Sequence, residues 1–269
     1  MILKAIQRRG QPIPQSAGFP YAVPLIHALD RFEFSAPVTF LVGENGSGKS
    51  TFLELLACAA GSITVGSESV LTDKTLLDIR TLAKGYQLIW TKRTKRGFFM
   101  RAEDFFGYAK AMAQTRAEMH SELERVDQEY EGRSEQAKGL AKLPFANEIN
   151  AMQKAHGEGL NTRSHGEAFL DLFRSRFQGE GLYLLDEPEA PLSPMRQLSF
   201  LVLLHEMVEK GGQFVIATHS PIIMAYPGAT ILSCDEGRIQ QVDYDQLDHV
   251  VVMRDFLNNP QQYLRHLLG

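Results

Sequence analysis

The stretch Gly43-Glu44-Asn45-Gly46-Ser47-Gly48-Lys49-Ser50-Thr51 constrains this chain more than any other. Before it runs Val38–Val42, a continuous apolar segment with β-branched residues that fits a fully buried strand. After it, over residues 50–60, Phe52, Leu53, Leu55, Leu56 and Ala59 recur at the spacing of a helix packed on a sheet. Between two buried elements the chain gives up side-chain packing, and the residues match the phosphate-loop pattern G-x-x-x-x-G-K-[ST] without a gap. Glycines let successive backbone N–H groups turn inward onto an anion. A helix starting near Gly48 adds the positive end of its dipole. Lys49 would then reach the β- and γ-phosphates of a bound triphosphate, and the Ser50 hydroxyl would sit on Mg²⁺.

The 269 residues suit one large domain or one domain with an insert. A net charge of −4 and a pI near 6.1 argue against a surface that coats nucleic acid throughout, while leaving room for a local basic patch. Cys58 and Cys234 lie far apart without metal-type spacing, so two thiols in a reducing compartment are expected rather than a disulfide or a zinc site. The opening "MILKAIQRRG" lacks the apolar core of a secretory signal, and no stretch approaches the roughly 18 apolar residues that span a bilayer. The expectation is a cytoplasmic chain without direct membrane insertion, whose membrane role, if any, would need a partner.

Residues 1–37 read as short strands and loops punctuated by prolines, and 61–101 as an antiparallel strand region ending in "GFFMR". From 102 to 163 the sequence turns charged and helical, broken by Gly132, Gly139 and Pro144. Within it Met112, Met119, Leu123, Val126 and Tyr130 share one helix stripe, either packed on the chain's own domain or offered to a partner. Strand and helix then alternate: "GLYLL" (181–185), a helix over 194–210, "QFVIAT" (213–218), "ATIL" (229–232) and a terminal helix after Arg254. Apolar strands without in–out alternation, joined by helices, point to a parallel sheet covered on both faces and so to the α/β class.

Two further motifs lie at strand ends. In "LYLLDEPEAPLSP", Asp186 would hold Mg²⁺ close to the loop after Val42, and Glu187 would polarise the attacking water as general base. In "FVIATHSP", His219 lies just past another apolar strand whose end shares the sheet edge with Val42 and Leu185, suiting it to sense a γ-phosphate.

With these motifs in this order the chain resembles an ABC-type ATPase. More narrowly it resembles the small soluble ATPases, labelled as AAA-family, that are related to the structural-maintenance-of-chromosomes group. Arg163-Ser164-His165-Gly166-Glu167 stands where that family carries its Leu-Ser-Gly-Gly-Gln/Glu signature, ahead of an apolar helix (168–177) and the Asp-Glu strand. Ser164 and Gly166 match; Arg163 and His165 depart from the usual Leu and Gly. The resemblance implies a P-loop NTPase fold with a mostly parallel sheet, an antiparallel β subdomain and a helical insert: one ATPase domain over 1–269, with the insert at 102–163. It implies ATP and Mg²⁺ as ligands. For the family's glutamine loop, "GFFMRAED" (97–104) offers Arg101 or Glu103, with Gln87 as an alternative. Ser193 replaces the aspartate that follows the catalytic strand, and Phe19 and Tyr21 are candidates to stack on adenine.

In that family the signature points away from its own phosphate loop, so two copies meeting head to tail would place Ser164 and the Gly166 backbone of one against the γ-phosphate held by the other. An ATP-dependent homodimer is implied. Three uses remain: a switch acting on nucleic acid or a protein partner, the nucleotide-binding subunit of a membrane transporter, or a small-molecule kinase. A kinase needs neither signature nor switch histidine. A transporter subunit usually carries a shorter, more regular helical subdomain and the full signature. The insert, even wholly helical, reaches only ~90 Å at 1.5 Å per residue, too short for a chromosome-tethering arm. The run Lys92-Arg93-Thr94-Lys95-Arg96 could touch a DNA backbone, or be merely solvated. The reading carried forward is the switch acting on nucleic acid or protein, with the transporter subunit as the alternative.

Overall fold

The computed structural model describes residues 1–10, 18–65, 70–156 and 165–268. The first half of the chain runs β1 (Leu3–Arg8), α1 (Pro24–Ala28), β2 (Arg31–Glu33), β3 (Val38–Val42), α2 (Lys49–Ala60), β4 (Ile63–Thr64), α3 (Leu77–Ala83), β5 (Tyr86–Trp90) and β6 (Gly97–Arg101). A helical pair follows, α4 (Ala102–Glu129) and α5 (Glu135–His156). The second half runs α6 (His165–Arg176), β7 (Leu182–Asp186), α7 (Pro194–Glu209), β8 (Gln213–Ala217), α8 (Pro221–Met224), β9 (Thr230–Ser233), β10 (Gln240–Gln241), α9 (Asp248–Asn258) and α10 (Pro260–Leu268).

Seven strands form the central sheet in the order β10-β9-β3-β8-β7-β6-β4, parallel except where β10 pairs with β9. β3, β7 and β8 are buried at every position, as their unbroken apolar runs require of strands covered on both faces. One face carries a core of Phe169, Phe173, Phe200, Tyr183 and Phe214 under α6 and α7. The other is covered by Phe52, Leu53, Leu55 and Leu56 of α2 together with the antiparallel sheet β2-β1-β5. The two sheets are pinned by one buried side chain: Gln213 accepts from the N–H groups of Ile2 (2.8 Å) and Leu3 (2.7 Å) and donates to the Leu3 carbonyl (3.0 Å).

Several expectations are corrected here. Of the region 61–101, only β5 joins the antiparallel sheet; β4 and β6 extend the parallel one, and Leu77–Ala83 is a helix. Buried Phe98, Phe99 and Met100 form a shorter version of the unbroken apolar run that marks the other central strands. In the short helix, Ile79 and Leu82 are the three-residue period, too brief to stand out in sequence. A short helix with Pro24 at its first turn also interrupts 1–37. Gly132 does turn the chain between α4 and α5, but Gly139 and Pro144 lie inside α5 rather than breaking it. Packing against α4 outweighs their low helix propensity. On α4, Val126 is buried and Met119, Leu123 and Tyr130 are half-buried; Met112 lies outside the described side chains. Asp127 of α4 meets Lys138 (2.6 Å) and Lys142 of α5. The C-terminal region is two helices, the first beginning six residues before Arg254 and the second opening at Pro260. Among the described residues no helix is long and apolar enough to cross a membrane.

Candidate functional site

Parallel strands present their carboxyl ends along one edge, and the sequence motifs fall there. Register places Arg101, Asp186 and Ala217 level on β6, β7 and β8, and Val42 level with Ser233. The phosphate loop leaves this edge at Gly43 and enters α2 at Lys49. Gly43 and Gly48 take φ of 140° and 99°. A Cβ at Gly43 would meet Asp235 Oδ1 at 2.7 Å, and one at Gly48 would meet Val23 Cγ1 at 2.7 Å. Glycine is required at both for conformation and for space. Lys49 is buried at 5% exposure, and its ammonium donates to the carbonyls of Gly43 (2.7 Å) and Glu44 (2.9 Å). Glu44 and Asn45 are exposed at the loop's crown, Gly46 stands at φ 85°, Ser47 closes a turn by donating its N–H to Glu44 O, and Thr51 is buried in α2.

Asp186 closes β7 and is buried, with Oδ1 lacking a hydrogen-bond partner among the described residues. Burial pushes its carboxyl up to about 6; the Ser50 hydroxyl opposes that rise and Glu187 adds to it. A free carboxylate oxygen beside a serine hydroxyl at a helix start suits Mg²⁺, which takes one or two protein oxygens and completes its octahedron with phosphate and water. Among the described residues no group of three His, Cys, Asp or Glu would hold a metal by itself. Glu187 follows at φ 50°, its N–H bonded to Ala217 O (2.9 Å), and its Oε1 lies 3.9 Å from His219 Nε2. His219 Nε2 has no hydrogen-bond partner among the described residues. Thus Lys49, Ser50, Asp186, Glu187 and His219 meet along the shared strand-end edge.

Other expectations divide. Arg101 stands at the edge, with its guanidinium bound to Asp104 (3.0 Å), Asp73 (3.2 Å) and Glu54 (3.5 Å). Glu103, 74% exposed, also pairs with Arg101 (3.4 Å), and Gln87 belongs to the antiparallel sheet, where it accepts from Arg9. Gly166 in the first turn of α6 is buried against Pro191 O and Leu192, in the connection that follows Glu187, and against Arg196 of α7. Arg163 and Ser164 lie outside the described residues. Phe19 is 60% exposed, whereas Tyr21 packs on the core beneath α2; Ser193 is exposed ahead of α7.

Three residues escaped the sequence reading. Asp235 accepts from Glu44 N–H (2.8 Å) and so braces the phosphate loop. Glu189 accepts from His219 N–H (2.6 Å) and is raised in pKa by burial. His249 lines, with Gly43, Glu44, His219 and Asp235, a cleft of about 700 Å³ over the strand ends, and burial holds its pKa down. For Glu189 and Asp235 the signal available was position just past a strand end; His249, in the first turn of α9, offered none.

Residues 25–136 match the family described as an AAA domain, which takes in the phosphate loop and the start of the helical pair. The chain is 25% identical over 236 residues to the energy-coupling factor transporter ATP-binding protein EcfA2 of Streptococcus sanguinis, covering 83% of this chain and 75% of that protein. The chain carries an ABC-type ATPase domain. This ATPase is also 22% identical over 243 residues to the macrolide export ATP-binding/permease protein MacB 2 of Aeromonas hydrophila, a match covering 89% of this chain but 34% of that one, so it spans about a third of that relative. Among solved structures, the Smc head domain of Pyrococcus furiosus bound to the C-terminal domain of ScpA aligns at TM-score 0.43 and 13% identity, over 96% of this chain and 99% of that one. A likeness at that score decides nothing about what the ATPase serves.

Proposed function

We propose that this ATPase hydrolyses its nucleotide between two copies of itself and that the closing and opening of the pair moves a separate partner. The observation that carries it is the pairing of Glu187 Oε1 with His219 Nε2 at 3.9 Å on the edge where the phosphate loop emerges. Lys49 would bind the β- and γ-phosphates, within a loop formed by Gly43, Glu44, Asn45, Gly46, Ser47, Gly48, Ser50 and Thr51. Asp186 and Ser50 would hold Mg²⁺, which supplies charge neutralisation for the phosphates. Glu187 would take a proton from the attacking water, and His219 would contact the γ-phosphate. Gly166 and Ser164 of the second copy would close the site. Within its own chain Gly166 packs against Pro191 O, Leu192 and Arg196, so the closure by a second copy rests on the place of Gly166 in the motif order.

For the partner, the names of the sequence relatives favour a membrane transporter, making this the ATP-binding subunit of such a complex, over the nucleic-acid or protein load expected from sequence. The support left for DNA is the exposed run 92–96, in which Lys92 is already paired with Glu180. Lys49→Ala is expected to abolish ATP binding. Glu187→Gln should bind ATP yet lose about 10²-fold or more in turnover, the usual worth of a general base. Equal turnover in Glu187→Gln and wild type would reject the assignment. Duplex DNA titrated at low salt separates the loads: salt-dependent binding would restore the nucleic-acid reading, and its absence agrees with a transporter.

A further inference from the structure

The turn that carries His219 is held by two side chains, Glu189 from the connection between β7 and α7 and Gln197 from the start of α7. Glu189 Oε1 accepts from the His219 N–H at 2.6 Å. One residue on, Ser220 Oγ donates to Gln197 Oε1 at 2.6 Å, while Gln197 Nε2 donates to Leu192 O at 3.1 Å. The Thr218 N–H continues the sheet by donating to Leu41 O at 3.2 Å, and the Thr218 hydroxyl accepts from Ser220 N–H at 3.0 Å. Three consecutive backbone positions are therefore fixed, and the imidazole projects from the middle one toward Glu187. A charge-assisted bond to a backbone N–H is short and about twice as strong as a neutral one. Of these restraints, the Glu189 bond is the one made to His219 itself.

We propose that Glu189 is a positioning residue for hydrolysis: by gripping the His219 N–H it sets the reach of the imidazole toward Glu187 and the γ-phosphate. This rests on the part proposed above for His219. The dipeptide Glu187-Pro188-Glu189 then has two acids with separate tasks, the first facing the water and the second facing the switch turn. Positioning by a backbone bond needs an acceptor oxygen and not a charge, so glutamine should serve where alanine fails. A purely structural anchor would lower stability and leave the chemical step alone. A residue acting through His219 loses its effect once the imidazole is gone.

The test is a double-mutant cycle read by phosphate release and by ATP binding, on the full chain. Glu189→Ala is expected to lower kcat about tenfold or more while KM for ATP stays within about twofold, the signature of an interaction made in the transition state. Glu189→Gln should recover kcat to within about threefold of wild type. In a His219→Ala background, Glu189→Ala should cost nothing further. Three outcomes overturn the proposal: full activity in Glu189→Ala, equal loss in the alanine and glutamine variants, or the same fold-loss with and without the imidazole. Full activity in His219→Ala alone would bring down the reading of His219 along with it, which separates that failure from failure of Glu189 alone. Should Glu189→Ala not fold, Glu189→Asp, whose shorter side chain draws the acceptor away from the His219 N–H, takes its place in the same cycle with the same outcomes.

Discussion

Glu187 stands at φ 50° with its N–H bonded to Ala217 O, a left-handed conformation that costs a non-glycine residue on the order of 1 kcal/mol. Strain kept at a strand end beside Lys49 and His219 suits a residue retained for chemistry. Glu187→Gly is expected to leave the melting temperature unchanged or raised while turnover falls about 10²-fold, measured by thermal unfolding and phosphate release. Arg101 has the opposite character. Its guanidinium is 13% exposed among Asp104, Asp73 and Glu54, and burial lifts Glu54 to about 7 while Arg101 opposes the rise. Removing the cation with Arg101→Ala leaves carboxylates uncompensated and should destabilise by about 3–5 kcal/mol in urea unfolding. Burial raises Cys234 from its ordinary 9.0 to about 12. A raised folded-state pKa contributes stability that is complete below pH 9.0 and is lost as pH rises toward 12, since the unfolded thiol ionises first. Stability should therefore fall above pH 9.0, and Cys234→Ser should flatten that decline. At this scale the sequence exposed Lys49, Asp186, Glu187 and His219, because each sits at a fixed offset from an apolar run. It hid Glu189, Asp235, Asp73 and Glu54, because their partners lie 28 to 191 residues away.

Among elements, the parallel strands were legible because an unbroken apolar run of five residues can be satisfied only inside a doubly covered sheet. β6 has a run of only three, Phe98 to Met100, and the glycines and polar turns around it read as an antiparallel region. The small helix Leu77–Ala83 and the continuity of α5 through Gly139 and Pro144 were not legible, because tertiary contacts there override weak local preference. Gln213 links the elements of both sheets. Gln213→Leu would strand the Ile2 and Leu3 N–H groups and is expected to cost about 1–3 kcal/mol by equilibrium unfolding, with ATP affinity unchanged in the folded fraction. A loss below experimental error would mean the antiparallel sheet is held by its apolar face alone.

Among the described residues, Lys49, Ser50, Asp186, Glu187 and His219 share one sheet edge, while Gly166 packs against Pro191 O, Leu192 and Arg196. On the function proposed, such a half-site would gain its last contacts from a second copy, and nucleotide would act as a ligand that binds the closed pair in preference to the open one. That the chain is an ATP-binding ATPase was readable from motif order. What it acts on was not, since the motifs at the strand-end edge speak to the nucleotide alone. The most direct measurement is the mass of Glu187→Gln by size exclusion with light scattering at saturating ATP and Mg²⁺. A species of twice the 30.1 kDa chain mass, returning to one chain mass when Lys49→Ala is added, is the expected result. A single chain mass with ATP demonstrably bound would contradict the shared site.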